Sequence, residues 1–203
     1  MNEKVILIGA SGHGKVIFDI VQAQGDTVIG FLDDNTSGTC CGVPVLGPVV
    51  SAKNYPEAKF IIAIGSNTVR KRISENLDAC WHTAIHPSAV ISPSASIGEG
   101  TVIMPNAVVQ ADAVVGCHCI LNTGCIVEHE NQIGDYVHLS PAAATGGNVF
   151  IGEGTHIGIG ACVRNNVRIC GGCTVGAGAA VVKDLDESGV YVGVPARKRY
   201  VKL

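Results

Sequence analysis

The segment ILNTGCIVEHENQIGDYVHLS, Ile120 to Ser140, decides the fold. Leu121, Val127, Ile133 and Leu139 fall six residues apart within it, and the spacing runs on in both directions. Every sixth residue from Ile85 to Val181 is Ile, Leu or Val at sixteen of seventeen positions, and the exception, Thr145, is β-branched. The position after this aliphatic one is rich in glycine (Gly98, Gly116, Gly134, Gly152, Gly158, Gly176), and four after it stand small residues such as Ala89, Ala107, Cys125 and Ala161. No insertion breaks the register. Six residues are too few for a helix pair and too many for simple strand alternation. They suit one side of a prism, a short strand with its aliphatic residue inward and then a turn relieved by glycine. Three sides close a coil of eighteen residues, and coils stack as parallel strands roughly 4.8 Å apart. The expected fold over residues 85 to 182 is therefore a parallel β-solenoid.

Composition agrees. In 203 residues, 47% are hydrophobic but only 4% aromatic, so the core must be built from Val, Ile and Ala, as thin repetitive β structure is. The length accommodates one large domain or two modest ones. Fourteen basic against 17 acidic residues, net charge -3, exclude an electrostatic footprint for nucleic acid. No long apolar span and no signal-peptide pattern appear, so a cytoplasmic protein that does not enter a membrane is expected. Nine cysteines include a C-x-x-C pair, Cys170 and Cys173, and a C-x-C pair, Cys117 and Cys119. Several occupy the small-residue position of the repeat, so packing is the stronger reading and no metal is expected.

Residues 1–82 read differently, as an α/β unit preceding a solenoid domain at 83–203. KVILIGASGHG is a short strand and a glycine-rich turn, followed by helical spacing at Val16, Ile17, Ile20 and Val21. TVIGFLDD is a second strand ending in Asp33 and Asp34; KFIIAIGSN is a third, ending at Gly65, Ser66 and Asn67 before a basic helix. This is the layout of a Rossmann-like βαβ nucleotide-binding domain. The glycines are spaced Gly9-x-x-Gly12-x-Gly14, which is not the dinucleotide fingerprint, and a mononucleotide or sugar nucleotide is favoured. The free amides of the helix N-terminus suit a phosphate, Asp33 or Asp34 a ribose, and His13 a phosphate or sugar.

Val127 points inward, so Glu128, His129 and Glu130 form the corner after it and face out. One coil is eighteen residues, which sets Gly147 above His129, Asn148 above Glu130, and His156 above His138. A base beside a bare backbone donor is what acyl transfer needs: an amine must lose a proton while a carbonyl oxygen gains charge. A carboxylate next to the imidazole fixes its tautomer. An acyl-cysteine route through Cys125 is disfavoured because that residue faces inward.

The repeat resembles that of the hexapeptide-repeat acyltransferases, whose solenoid is left-handed and which usually act as trimers. GASGHG, FLDD, FIIAIGSN-x-x-R, ILNTG, EHE and GVPARK also occur in the order seen in bacterial nucleotide-sugar N-acetyltransferases. In particular, the chain is similar to those that acetylate the 4-amino group of a UDP-4-amino-4,6-dideoxy sugar, as in bacillosamine synthesis; sialic acid O-acetyltransferases are relatives. The resemblance implies acetyl-CoA as co-substrate, His129 as general base, Glu130 as its orienting acid and direct transfer. It implies that His138 contacts the acetyl donor and that the Gly147 amide meets the thioester carbonyl. Gly158, Ile159, Gly160, Gly178 and Ala179 would form the acetyl-CoA groove. Ser11, Gly12, His13, Gly14, Asp33, Asp34, Gly65 and Asn67 would form the UDP-sugar surface. Acetylation of a sugar hydroxyl is the alternative; a scaffold with a degenerate site is argued against by the intact EHE and Gly147.

Overall fold

The computed structural model describes residues 2–199. The apolar runs expected as strands form β1 (Lys4–Ile8) and β2 (Thr27–Leu32), joined by α1 (Gly12–Gln24). A hairpin of β3 (Thr39–Cys40) and β4 (Val43–Pro44) follows, then β5 (Lys59–Ile62) and α2 (Asn67–Asn76). The main sheet is parallel with order β2-β1-β5, so the order reverses at β1, and the crevice beyond the strand ends there is where α/β sheets take ligands. After the polar first residues Lys4, Thr27 and Lys59 the strands are apolar, because both faces are covered. Val5 and Leu7 pack with Ile17, Ile20 and Val21 of α1, while Ile6 and Ile8 pack with Phe60, Ile62 and Ile73. The turn from β1 into α1 demands glycine: a Cβ on Gly14 would lie 2.2 Å from the Gly9 carbonyl oxygen.

From Ala84 to Val181 the chain winds as two-residue strands, every one including a member of the aliphatic column. They stack into three parallel sheets, the faces of a prism. The outward positions of the first face are Ala84, Val102, Ile120, His138, His156 and Thr174. Those of the second are Val90, Val108, Ile126, Ala144, Cys162 and Ala180; those of the third are Ser96, Val114, Gln132, Phe150 and Arg168. Pairings such as Ile120 with His138 and Val108 with Ile126 advance by eighteen residues per coil. The aliphatic column is interior, as expected, and Ala107, Cys119, Cys125, Ala143 and Ala161 fill the rest of the same core. The first face is covered by the α/β unit: Ala84, Val102 and Ile120 share one apolar cluster with α1 and β1. No helix among the described residues is long and apolar enough to cross a membrane.

Two different constraints act at the corners. The glycine after the aliphatic residue permits coils to approach, since a Cβ on Gly134 would lie 2.7 Å from the backbone nitrogen of Glu153. The left-handed conformation falls two residues later, on glycine at Gly124 but on other residues at His118, Glu130, Tyr136 and Asn148. Gly134→Ala is expected to destabilise the protein by ~1–3 kcal/mol in urea denaturation, as overpacking does. Gly124→Asn, at φ 65 with open space around it, is expected to change stability by about 0.5 kcal/mol or less.

Candidate active site

His129 and Glu130 occupy the edge between the second and third faces. His129 Nδ1 lies 3.1 Å from Glu130 Oε2, with both side chains more than half exposed. The imidazole rests on Gly147 of the next coil: a Cβ there would fall 2.4 Å from Nε2, so a side chain at 147 would displace the ring from this position. The coils are tied at this point by Asn148 N–H donating to the His129 carbonyl, while the Gly147 N–H donates to no group among the described residues. Two departures from the repeat fix the corner. Thr145, the exception in the aliphatic column, accepts from the Glu128 amide at 3.3 Å and donates to the Ile126 carbonyl at 3.3 Å. Asn131, fully buried at a small-residue position, donates to the carbonyls of Glu128, His129 and Gly146. Asn131 was not singled out from sequence, although a polar residue in a small-residue column next to EHE was a readable signal.

His138 and His156 stack on the first face, as their spacing required, with ring centroids 4.7 Å apart and planes at 9°. Asn122 Nδ2 meets His138 Nε2 at 3.1 Å, and Ser140 Oγ meets His156 Nε2 at 2.7 Å. The cluster is closed from the other side by His13 of the glycine turn and by the Gly65 backbone. Burial first, then His156, Arg70 and His13, push the His138 pKa down to about 3. Burial and the Arg70 charge hold His13 and His118 down to about 4, and the same two causes lower His156. These imidazoles are neutral at ordinary pH; His138 and His156 hydrogen-bond through Nε2, whereas His13 Nε2, His118 Nδ1 and His138 Nδ1 are buried without a partner among the described residues.

Beyond the C-terminal ends of β1 and β2 opens a cavity of about 820 Å³ whose lining includes Gly9, Asp33, Asp34, Lys53, Ile64 and Arg72. Asp33 Oδ2 accepts from the Ala10 amide and Oδ1 from the amides of Asn35 and Thr36, so its carboxylate orders the loop. Burial opposes its ionised form, but these amides outweigh it and leave the pKa below the usual carboxylate range. Asp34 spends only Oδ1, on the Val49 amide. At the head of α1, Ser11 and Gly12 are exposed, His13 is half-buried and Gly14 is buried. The amides of Gly12 and His13 donate to no group among the described residues. Asn67 turns its amide to the solenoid carbonyls of Gly154 and Thr155.

The expected groove residues lie on the edge between the first and second faces. Ile159 is 60% exposed, and Gly160 and Gly178 have positive φ and open space beside them. Gly158 is close-packed against the backbone of Val175 and Gly176. Ala179 turns its methyl into the core, so it can offer this edge only its backbone. Cys125 is likewise fully buried, with its thiol pushed up to about 12 by desolvation, which removes it as a nucleophile. Within one chain, then, the residues gather in separate places: His129, Glu130 and Gly147 on one edge, Gly158 to Gly160 on another, the stacked His138 and His156 on the first face, and a cavity lined only by residues of the α/β unit.

A solenoid acyltransferase scaffold carrying a Rossmann-like domain is the class these features define, and comparison with known proteins agrees. Residues 4–77 match the PglD N-terminal domain family. The acetyltransferase domain of PglB from Neisseria gonorrhoeae is 41% identical with a TM-score of 0.93, over 98% of this chain and 100% of that one; it has also been solved with acetyl coenzyme A. PerB from Caulobacter crescentus, solved with CoA and GDP-perosamine, is 37% identical with a TM-score of 0.93, over 97% of each chain. The UDP-N-acetylbacillosamine N-acetyltransferase of Bacillus subtilis is 44% identical over 109 residues, 49% of this chain and 50% of the relative. The chain thus spans about half the length of that curated relative in the match. It belongs to the hexapeptide-repeat nucleotide-sugar N-acetyltransferase family, and its solenoid is a left-handed β-helix of about six turns.

The buried histidines make an acid limit to stability. An imidazole with an ordinary value of 6.5 when unfolded and about 3 or 4 when folded stabilises fully above 6.5, and that contribution is lost as pH falls toward the folded value. The melting temperature is expected to drop steadily from pH 6.5 to 4.5 with net proton uptake on unfolding, measured by calorimetry in buffers of different ionisation enthalpy. A flat melting temperature over that window would contradict the burial of these rings.

Proposed function

We propose that this protein transfers acetyl from acetyl-CoA directly to the 4-amino group of a UDP-linked 4-amino-4,6-dideoxy-N-acetylhexosamine. The observation that carries the reading is His129 resting on Gly147, with Glu130 on its other nitrogen. Glu130 accepts from Nδ1–H, which leaves the Nε2 lone pair toward the reacting side. Nε2 takes the proton of the attacking amine as the N–C bond forms. The carbonyl electron pair moves to oxygen, where the Gly147 N–H receives it; the C–S bond then breaks, and Nε2–H returns the proton to the departing thiolate. His138, hydrogen-bonded through Asn122, is assigned to the donor, together with the edge formed by Gly158, Ile159, Gly160 and the backbone of Gly178 and Ala179. Ser11, Gly12, His13, Gly14, Asp34, Gly65 and the cavity with Lys53 and Arg72 are assigned to the nucleotide sugar, with Asp33 shaping their loop. The working units are 1–82 for the acceptor and 83–203 for the donor.

The separation of these groups around the prism favours a homotrimer with the site shared between subunits. The second face, which lies between the His129 edge and the Gly158 edge, presents an apolar column in which Val90 is 63% and Ile126 37% exposed. A second copy of the chain on that face would bring one protomer's His129 to its partner's histidine cluster. Activity in the cytoplasm accords with nine unpaired cysteines.

Thiol release from acetyl-CoA over a panel of nucleotide amino sugars, with mass spectrometry of the product, tests the reading; a product heavier by one acetyl group is expected with the UDP-4-amino sugar. His129→Ala is expected to lower kcat by ~10²–10⁴-fold without loss of CoA binding. Glu130 has φ 58, where Asn is better tolerated, so Glu130→Asn is expected to keep or raise the melting temperature while kcat falls by about tenfold. Wild-type turnover in the His129 variant would refute the assignment of the base.

A further inference from the structure

The left-handed corner residues leave a column of unused acceptors. The ladder between coils takes the carbonyl of the residue before each, as when Tyr136 N–H donates to Cys117 and Gly154 N–H to Asp135. Along the edge between the third and first faces the left-handed residues are Gly100, His118, Tyr136, Gly154 and Gly172, one per coil, and the middle three, with φ 52, 57 and 68, face α2. All three carbonyls are taken by α2. Arg70 Nε donates to His118 at 3.0 Å and Nη2 to Tyr136 at 2.9 Å, while Asn67 Nδ2 donates to Gly154 at 2.9 Å. The two side chains are joined by Arg70 Nη2 to Asn67 Oδ1 at 2.9 Å. The remaining fork of the guanidinium, Nη1, holds the carbonyls of Ile64 and Gly65 at 3.1 and 3.0 Å. Arg70 is 1% exposed, and among the described residues no carboxylate forms an ion pair with it; its hydrogen bonds all go to carbonyl and amide oxygens. Such a group is expensive to bury, and its neutral neighbours give it no Coulombic partner, so its value lies in geometry.

We propose that Arg70 and Asn67 are positioning residues that act as a register clamp: they grip three consecutive coils and set the height of the acceptor-binding unit along the solenoid. The clamp thereby brings the Gly65 turn and His13 against His138. The carbonyl column repeats, and the particular coil is named by side chains around it. Trp81 meets the His118 ring edge-on at 4.7 Å, and Ser74 hydrogen-bonds the Tyr136 hydroxyl at 2.9 Å. A shift of one coil would keep the carbonyls and lose these two contacts. The functional part of this inference rests on the acetyl-transfer reading, because it assumes that the acceptor sits on the first unit and the donor on the second.

Arg70→Lys and Asn67→Ala in the full chain test it. Lys keeps the charge and loses the fork; Ala at 67 leaves Arg70 its contacts with His118 and Tyr136, and so preserves folding if the Arg70 variant does not fold. In steady-state kinetics with acetyl-CoA and a UDP-4-amino sugar, kcat is expected to fall ten- to hundredfold in both, with each KM within about threefold of wild type. Wild-type kcat in either folded variant overturns the clamp, and so does a raised nucleotide-sugar KM with kcat intact, which would make Asn67 a ligand contact. If the wild-type chain acetylates no nucleotide sugar, the functional reading has failed, and amide hydrogen exchange decides the clamp alone. Asn67→Ala is then expected to speed exchange at residues 65–70 by about tenfold or more while the second-face strands stay unchanged. Unaltered exchange at 65–70 overturns it.

Discussion

Coil-to-coil pairing at eighteen residues is the constraint on which everything else depends. Each two-residue strand is too short to be stable alone, and its hydrogen bonds exist only because the coils above and below supply them. The aliphatic column is what holds the coils at that spacing, and glycine is what lets their corners close. Once the winding is fixed, a residue's partner is no longer its sequence neighbour but the residue one coil away. His129 and Gly147 are brought together in this way, and so are His138 and His156.

The site is assembled where the winding is slightly violated. A β-branched hydroxyl at Thr145 replaces an aliphatic side chain, and Asn131 replaces a small one; both are buried and both spend their hydrogen bonds on the backbone around His129. They cost hydrophobic burial and return a corner that does not fray. Over the first face a different economy holds. Beside the apolar contact that Ala84, Val102 and Ile120 make with the α/β unit, neutral histidines and one buried cation complete the seam between the two units.

Much of this was legible in the sequence because periodicity is a one-dimensional record of the winding. The boundaries of the solenoid, its inward column, the βαβ unit and the two stacked pairs all follow from counting residues. Less legible was anything that depends on which edge of the prism a residue occupies. Counting puts His129 and Gly158 in the same domain, yet they stand on different edges. Arg70 reads as a surface cation on a basic helix, and only its packing against three corner carbonyls reveals it as buried. Asp33 and Asn67 have the chemistry of ligand contacts, and backbone groups take up their hydrogen bonds, those of neighbouring loops for Asp33 and those of a solenoid corner for Asn67. Ala179 belongs to the small-residue column, so its inward direction followed from the same count that placed Cys125 inside.

The most direct test of the central claim is a crystal structure of the protein with coenzyme A and the nucleotide amino sugar bound together. The account predicts the sugar amine about 2.6–3.2 Å from His129 Nε2, with the CoA sulfur beside the Gly147 amide. An amine bound far from His129, or a sulfur that approaches another coil, would contradict it.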